Sequence, residues 1–265
     1  VVSAQAMLGE DLWEFEYAKH DRPSKFIPLG TIVTVFGTGS EMNNGAVITH
    51  EDKKIKGALW GAQADFAFLD PNYSMSVPFK QVISGAFDTL SHAMETYFGK
   101  PDENNLSDDI NEAVMRSTIR NIRVLLTDHN NYAARSELAW ASAMAENSIL
   151  KIGKVTDFQC HMLEHQLGAY TNCNHGAGLA VLHPVLYRHI CEANTARFAR
   201  FAVNVWGIDP EGKTEVELAH AGVEALAAFI KEIGLPTTFA ELGIPADTDF
   251  AAIAKSTLRT GGRGK

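Results

Sequence analysis

The pattern of apolar and polar positions changes character near residue 75. Before it, apolar residues come in short, β-branched runs. Ile32-Val33-Thr34-Val35-Phe36 is bounded by glycines and predicts a buried strand. Gly45-Ala46-Val47-Ile48-Thr49 and Phe66-Ala67-Phe68-Leu69-Asp70-Pro71 predict strands in the same way. The stretch up to about Lys25, acidic and aromatic at Asp11–Tyr17, predicts a short helix and a loop. From Ser76 the period becomes helical. Phe79, Val82, Ile83, Ala86, Phe87, Leu90, Met94 and Tyr97 form one apolar stripe, with Pro78 suited to its first turn and Gly99 to its end. Ile110, Val114, Ile119, Ile122 and Leu126 mark a second helix, capped by Ser107 and running towards Thr127. A third, rich in alanine and serine, spans about Tyr132 to Leu150. Met162, Leu163, Leu167 and Tyr170 mark a fourth, and the apolar run Leu179–His183 is stopped by Pro184. Thr214-Glu215-Val216-Glu217 is a capping box for a helix ending near Gly234, and a last helix starts near Thr248. An α/β portion followed by an all-α portion is the fold class that this pattern predicts.

Polar positions on these helices carry the candidate chemistry. Three of the ten histidines fall between Asp157 and Gly178. His161 and His165, four apart, leave one helix face. Thr171-Asn172-Cys173-Asn174 ends that helix, and so short a loop can fold His175 back towards it. Gly176 and Gly178 would let the backbone pass close to whatever the imidazoles surround. Taken singly, each histidine reads as a surface or hydrogen-bonded core residue; clustered, they read as part of a metal site that needs a further pair, including a carboxylate. Asp88 and His92, also four apart, supply it from a polar stripe of Ser84, Asp88, Ser91, His92 and Glu95. By itself that stripe would be a solvated helix face. Together the residues offer one carboxylate and three imidazoles, a set suited to a divalent transition metal. Cys160 and Cys173 flank the histidines and read as packing, and His183 as structural. Gly37-Thr38-Gly39-Ser40-Glu41-Met42-Asn43 is either a plain strand connection or a loop able to approach a phosphate or ribose.

Gly85-x-x-Asp88-x-x-x-His92, then His161-x-x-x-His165, then His175 before Gly176, resembles the iron-containing (group III) alcohol dehydrogenases. His161 to Pro184 resembles the butanol dehydrogenase branch, and the likeness runs from about Phe26 to Gly262. This resemblance implies a dehydroquinate synthase-like fold, in which residues 1–75 are the later part of a Rossmann-like dinucleotide-binding domain and 76–265 a helical metal-binding catalytic domain. It implies Asp88, His92, His161 and His175 as ligands of Fe(II), with Zn(II) as the alternative, and His165 beside the substrate as a non-ligand. NAD(H) or NADP(H) would meet Thr34, Gly37, Thr38 and Asn43, where the family carries Thr-Thr-x-Gly-Thr-Gly-Ser-Glu; Val35 replaces its second threonine. Lys56 resembles the lysine that meets the cofactor ribose. The implied reaction is hydride transfer between NAD(P)(H) and a primary alcohol or aldehyde such as butanol or butanal, catalysed by a homodimer. A zinc-dependent polyol dehydrogenase of the glycerol type, or a dehydroquinate synthase, shares the architecture but matches the His161–Gly178 segment poorly. A catalytically silent metal-binding fragment is the rival of another class. The family's glycine-rich phosphate motif lies upstream of the position matching Val1, and the family continues beyond Lys265, so the chain is expected to be part of a longer protein.

Composition narrows the picture further. At 265 residues the chain can form one or two domains, and 46% hydrophobic with 21% charged residues is ordinary for a globular protein. A formal net charge of −9 argues against nucleic acid as a partner. No run approaches a membrane span, and no signal peptide is visible. Three cysteines without Cys-x-x-Cys spacing fit a reducing cytoplasm.

Overall fold

The change of period near residue 75 is a change of architecture in the computed structural model, which describes residues 1–258. Helices α1 (Val2–Leu8) and α2 (Leu12–Tyr17) open the chain. Asp11 caps α2 by accepting the Glu14 N–H at 2.9 Å. Strand β1 (Gly30–Ile32) lies parallel to β4 (Phe66–Phe68), with Thr31 opposite Ala67. Strands β2 (Gly45–His50) and β3 (Ile55–Trp60) form an antiparallel hairpin with Val47 opposite Ala58. A small core of Ala4, Leu12, Trp13 and Leu59 holds the opening helices against β3. The apolar pattern missed β3, because Lys56 and Gly57 interrupt it. The strand expected at Ile32–Phe36 is a correction of another kind. It starts earlier and ends at Ile32, and Ile32, Phe66 and Phe68 are 56–59% exposed rather than buried. Among the described residues no third strand pairs with β1 or β4 and no second layer covers these side chains.

The helical part is organised around α3 (Phe79–Tyr97). Around and after it come α4 (Leu106–Thr127), α5 (Tyr132–Glu146), α6 (Gln159–Thr171), α7 (His175–Ile190), α8 (Thr195–Asn204), α9 (Glu215–Glu232) and α10 (Phe250–Thr257). Helices α4, α5 and α7 pack on α3; α9 covers α7 and α8, and α10 covers α6. Phe87, Leu90, Met94 and Tyr97 of α3 join Met115, Ile122, Leu138, Leu179, Phe201 and Phe229 in one core. Because neighbours surround α3, its polar stripe is not solvated: Ser84, Asp88, Ser91, His92 and Glu95 are all buried.

Local signals at the helix ends were partly right. Thr214 makes the expected capping box, its hydroxyl accepting the Glu217 N–H while the Glu217 carboxylate accepts the Thr214 N–H at 2.8 Å. Helix α4 is capped by Asn105 rather than Ser107. Pro184 does not stop the apolar run but sits inside α7, with Leu179 and Ala180 buried before it and Tyr187 after it. Packing on both sides outweighs the hydrogen bond that proline removes.

Gly85 shows how the β-rich part is seated on α3. A Cβ there would lie 2.1 Å from the Phe36 carbonyl oxygen, a backbone atom. Gly85→Ala is expected to destabilise the protein by about 1–3 kcal/mol through overpacking, in spite of Ala's better helix propensity. A lowered urea midpoint at unchanged slope would register this. Among the described residues, no helix is long and apolar enough to cross a membrane.

Candidate metal centre

Two turns of helix and one tight link bring the candidate ligands together. Helix α3 carries Asp88 and His92, and α6 carries His161 and His165, each pair one turn apart. Asn172 takes the left-handed conformation at φ 53° and ends α6. Asn174 then caps α7 by accepting the Ala177 N–H at 3.0 Å, and His175 is the first residue of that helix. Gly176 lets α7 press against α3, since a Cβ there would lie 2.2 Å from the Ser84 carbonyl oxygen. The glycine therefore serves helix packing, and His175 is delivered to Asp88 as a result.

The imidazoles converge on one carboxylate oxygen. Asp88 Oδ1 lies 3.5 Å from His92 Nδ1, 3.3 Å from His161 Nε2 and 3.5 Å from His175 Nε2. Ligands bonded at about 2.1 Å in a tetrahedral zinc-type site lie about 3.4 Å apart. The buried His92 Nδ1 has no hydrogen-bond partner among the described residues, as a nitrogen reserved for a ligand bond would have none. Opposite nitrogens are held elsewhere. His161 Nδ1 donates to Glu95, which also accepts the N–H groups of Cys160 and His161 at 2.6 and 3.2 Å. His175 Nδ1 donates to Glu164. Asp88, His92 and His161 bring ligand atoms within 4.8 Å of one another and fit a divalent metal in type and spacing; His175 reaches Asp88 Oδ1 from α7 and also lies in a second such group with Glu164 and His165.

Burial and neighbouring charges perturb Asp88, His92, His161 and His165. Burial pushes the Asp88 carboxyl up, but His92, His161 and His175 outweigh it and hold Asp88 well below the usual carboxylate range. Burial pulls His161 down, yet Glu95 and Asp88 carry it up to about 10. Burial lowers His92, and nearby Asp88 and Glu146 do not restore it. His165 is driven well below its ordinary value by burial and then by His161 and Lys56. Its ring stands 6.0 Å from that of His161 and 5.6 Å from that of His175, in the wall of the same site.

The residues expected to meet a cofactor lie on the loop beside this centre and on β3. Gly37 and Gly39 donate their N–H groups to Ser142 Oγ at 2.8 and 3.2 Å. Gly37 has φ 150°, and a Cβ on it would lie 3.3 Å from Asp88 Oδ2. Asn43 closes the loop, donating to the carbonyls of Thr38 and Gly39 and accepting the Gly45 N–H. Thr34 and Thr38 are exposed. Lys56 reaches Glu164 at 3.2 Å and lies 3.4 Å from His175 Nδ1. Cys160 is buried, and Cys173 Sγ lies 3.9 Å from Glu164, so both pack beside the cluster. His183 is buried with Nε2 2.6 Å from Ser91 Oγ. Sequence reading gave no role to Glu95, although it sits on the polar stripe, and missed Glu164 and Ser142. Glu164 had a signal in its place beside His165; Ser142 lies in an alanine-serine helix and had none.

A β-rich part with a glycine loop is thus joined to a helical part that carries an Asp-His₃ cluster. The chain belongs to the iron-containing alcohol dehydrogenase family and is butanol-dehydrogenase-like: the model for the Fe-containing alcohol dehydrogenase family, C-terminal, matches residues 82–263, and that for iron-containing alcohol dehydrogenase matches residues 2–71. It is 32% identical over 265 residues to NADH-dependent butanol dehydrogenase A of Clostridium acetobutylicum, covering 99% of this chain and 67% of that protein. The NADH-dependent butanol dehydrogenase B of the same organism is 36% identical over 90% of this chain and 62% of its own length. Among solved structures, NADH-dependent butanol dehydrogenase A from Thermotoga maritima superposes with a TM-score of 0.90 at 32% identity, covering 97% of this chain and 64% of that one. The chain thus spans about two thirds of the length of these relatives.

Proposed function

We propose that the protein is a metal-dependent alcohol dehydrogenase or aldehyde reductase that passes hydride between NAD(P)(H) and a primary alcohol or aldehyde of the butanol/butanal class. Convergence of three imidazole nitrogens on Asp88 Oδ1 at metal-ligand spacing carries this reading. Relatives named as NADH-dependent butanol dehydrogenases and an NADPH-dependent aldehyde reductase support it. Residues 1–75 act as the later part of the dinucleotide-binding domain and 76–265 as the catalytic domain. Asp88, His92, His161 and His175 hold the metal, Fe(II) or Zn(II); the donor set suits both. When bound, that ion supplies Lewis acidity at the substrate oxygen, and the nicotinamide supplies or accepts the hydride.

The remaining roles fall to side chains. His165, buried one turn from His161 and beside His175, hydrogen-bonds the substrate hydroxyl and relays its proton. The loop carrying Thr34, Gly37, Thr38 and Asn43 seats the cofactor next to Asp88, where the absence of a side chain at Gly37 allows close approach. Lys56 reaches the same cleft from β3. Metal-free and metal-loaded full-length protein should be assayed with butanal and either NADH or NADPH. Coenzyme oxidation that depends on the metal is expected. If loaded protein oxidises neither coenzyme, the dehydrogenase reading is wrong.

A further inference from the structure

His175 presents Nε2 to Asp88 because Nδ1 is held from behind, and the holder occupies a built site. Glu164 is fully buried on α6. Its Oε2 receives His175 Nδ1 and, at 3.2 Å, the ammonium of Lys56. Two glycines make the room. A Cβ on Gly178 would lie 3.0 Å from Glu164 Cγ and 3.1 Å from Oε1, and one on Gly168 would lie 3.3 Å from both Oε1 and Lys56 Nζ. A carboxylate in so closed a slot needs partners for its charge. Lys56, from β3 in the other part of the molecule, is one; His175 is the second.

We propose that Glu164 is a positioning residue for the metal centre: held by Lys56, it keeps His175 protonated on Nδ1 and aims Nε2 at the ion. The inference rests on the reading of Asp88, His92, His161 and His175 as the ligand set. An imidazole whose Nδ1–H is claimed by a carboxylate has one tautomer and one ring orientation. Strand β3, which offers the ion no ligand, thereby takes part in setting its affinity.

The test uses the full-length protein stripped of metal. Zn²⁺ affinity is measured by competition with a chromophoric chelator, and the Co²⁺ visible spectrum reports the coordination geometry. Glu164→Gln should weaken Zn²⁺ binding about 10–100-fold with the circular dichroism of the metal-free protein unchanged. In a His175→Ala background the same substitution should change affinity by less than about twofold, because the group it acts through is gone. An undiminished penalty there, or wild-type affinity in Glu164→Gln alone, overturns the positioning role while leaving the ligand set intact. Wild-type Zn²⁺ affinity in His175→Ala overturns both. Should Glu164→Gln not fold, Glu164→Asp, which withdraws the carboxylate by one methylene, is put through the same cycle with the same expectations.

Discussion

Asp88→Ala is expected to cost the protein its metal and, with it, its turnover. Asp88 Oδ1 faces all three imidazole nitrogens, at 3.3–3.5 Å, and it is the anion of the set. The imidazoles keep that carboxyl ionised against the pull of burial, so the ligand is charged and ready at neutral pH. In the proposed ligand set, alanine would remove a bond to the ion and also the charge that offsets the ion's own. The loss in affinity should therefore exceed the roughly 10–100-fold typical of an outer-shell partner. Asp88→Asn, which keeps the shape and one neutral oxygen, should lose less. Metal content after dialysis, read beside butanal reduction, checks both variants. Full occupancy in Asp88→Ala would remove Asp88 from the ligand set.

The centre was more legible than its surroundings. His161 with His165, and Asp88 with His92, announce themselves because a helix puts positions four apart on one face. The loop at Asn172–Asn174 announces that His175 can return. Nothing in the periodicity says that residues 88 and 161 meet; the family motif supplied that step. A stripe of Ser84, Asp88, Ser91, His92 and Glu95 looks alike whether it faces water or a buried polar site. What separates the two cases is α7, whose approach through Gly176 covers the stripe, and a tertiary contact leaves no local signal. Glu95 on the stripe and Glu164 beside His165 stood in suggestive places, but their roles were not legible, since each does its work on a histidine of another helix or after a turn. Pro184 and Ile32 failed in opposite directions. Packing carried α7 past a residue that ends many helices, while an apolar strand sequence stayed exposed where no layer of the described residues lies over it.

Replacing Asp108 by alanine should be the most damaging change away from the metal. Asp108 is fully buried near the start of α4, and its two oxygens meet the ammonium of Lys154 and the guanidinium of Arg197, whose side chains are 1% exposed. Arg197 also donates to the Pro101 carbonyl at 2.7 Å and lies over the Tyr97 ring. Removing the shared anion leaves two cations in the interior. Lysine has a way out, because burial already pulls Lys154 below its ordinary value and deprotonation would relieve it. Arginine has none at accessible pH, so Arg197 must remain charged and unpaired. Breaking a buried pair from one side costs about 3–5 kcal/mol. Asp109 is the control: it pairs with Arg200 one residue further on but is 65% exposed, and Asp109→Ala should cost no more than about 1 kcal/mol. Urea unfolding of the two variants decides the matter, and equal midpoints would refute the argument. The damage should also reach the metal centre. Lys154 belongs to the segment leading into α6, where Val155 pairs with Lys100 and the Asp157 N–H donates to the Glu95 carbonyl at 3.1 Å. Loosening that segment frees the start of the helix that carries His161, so metal affinity should fall together with stability in Asp108→Ala and stay unchanged in Asp109→Ala.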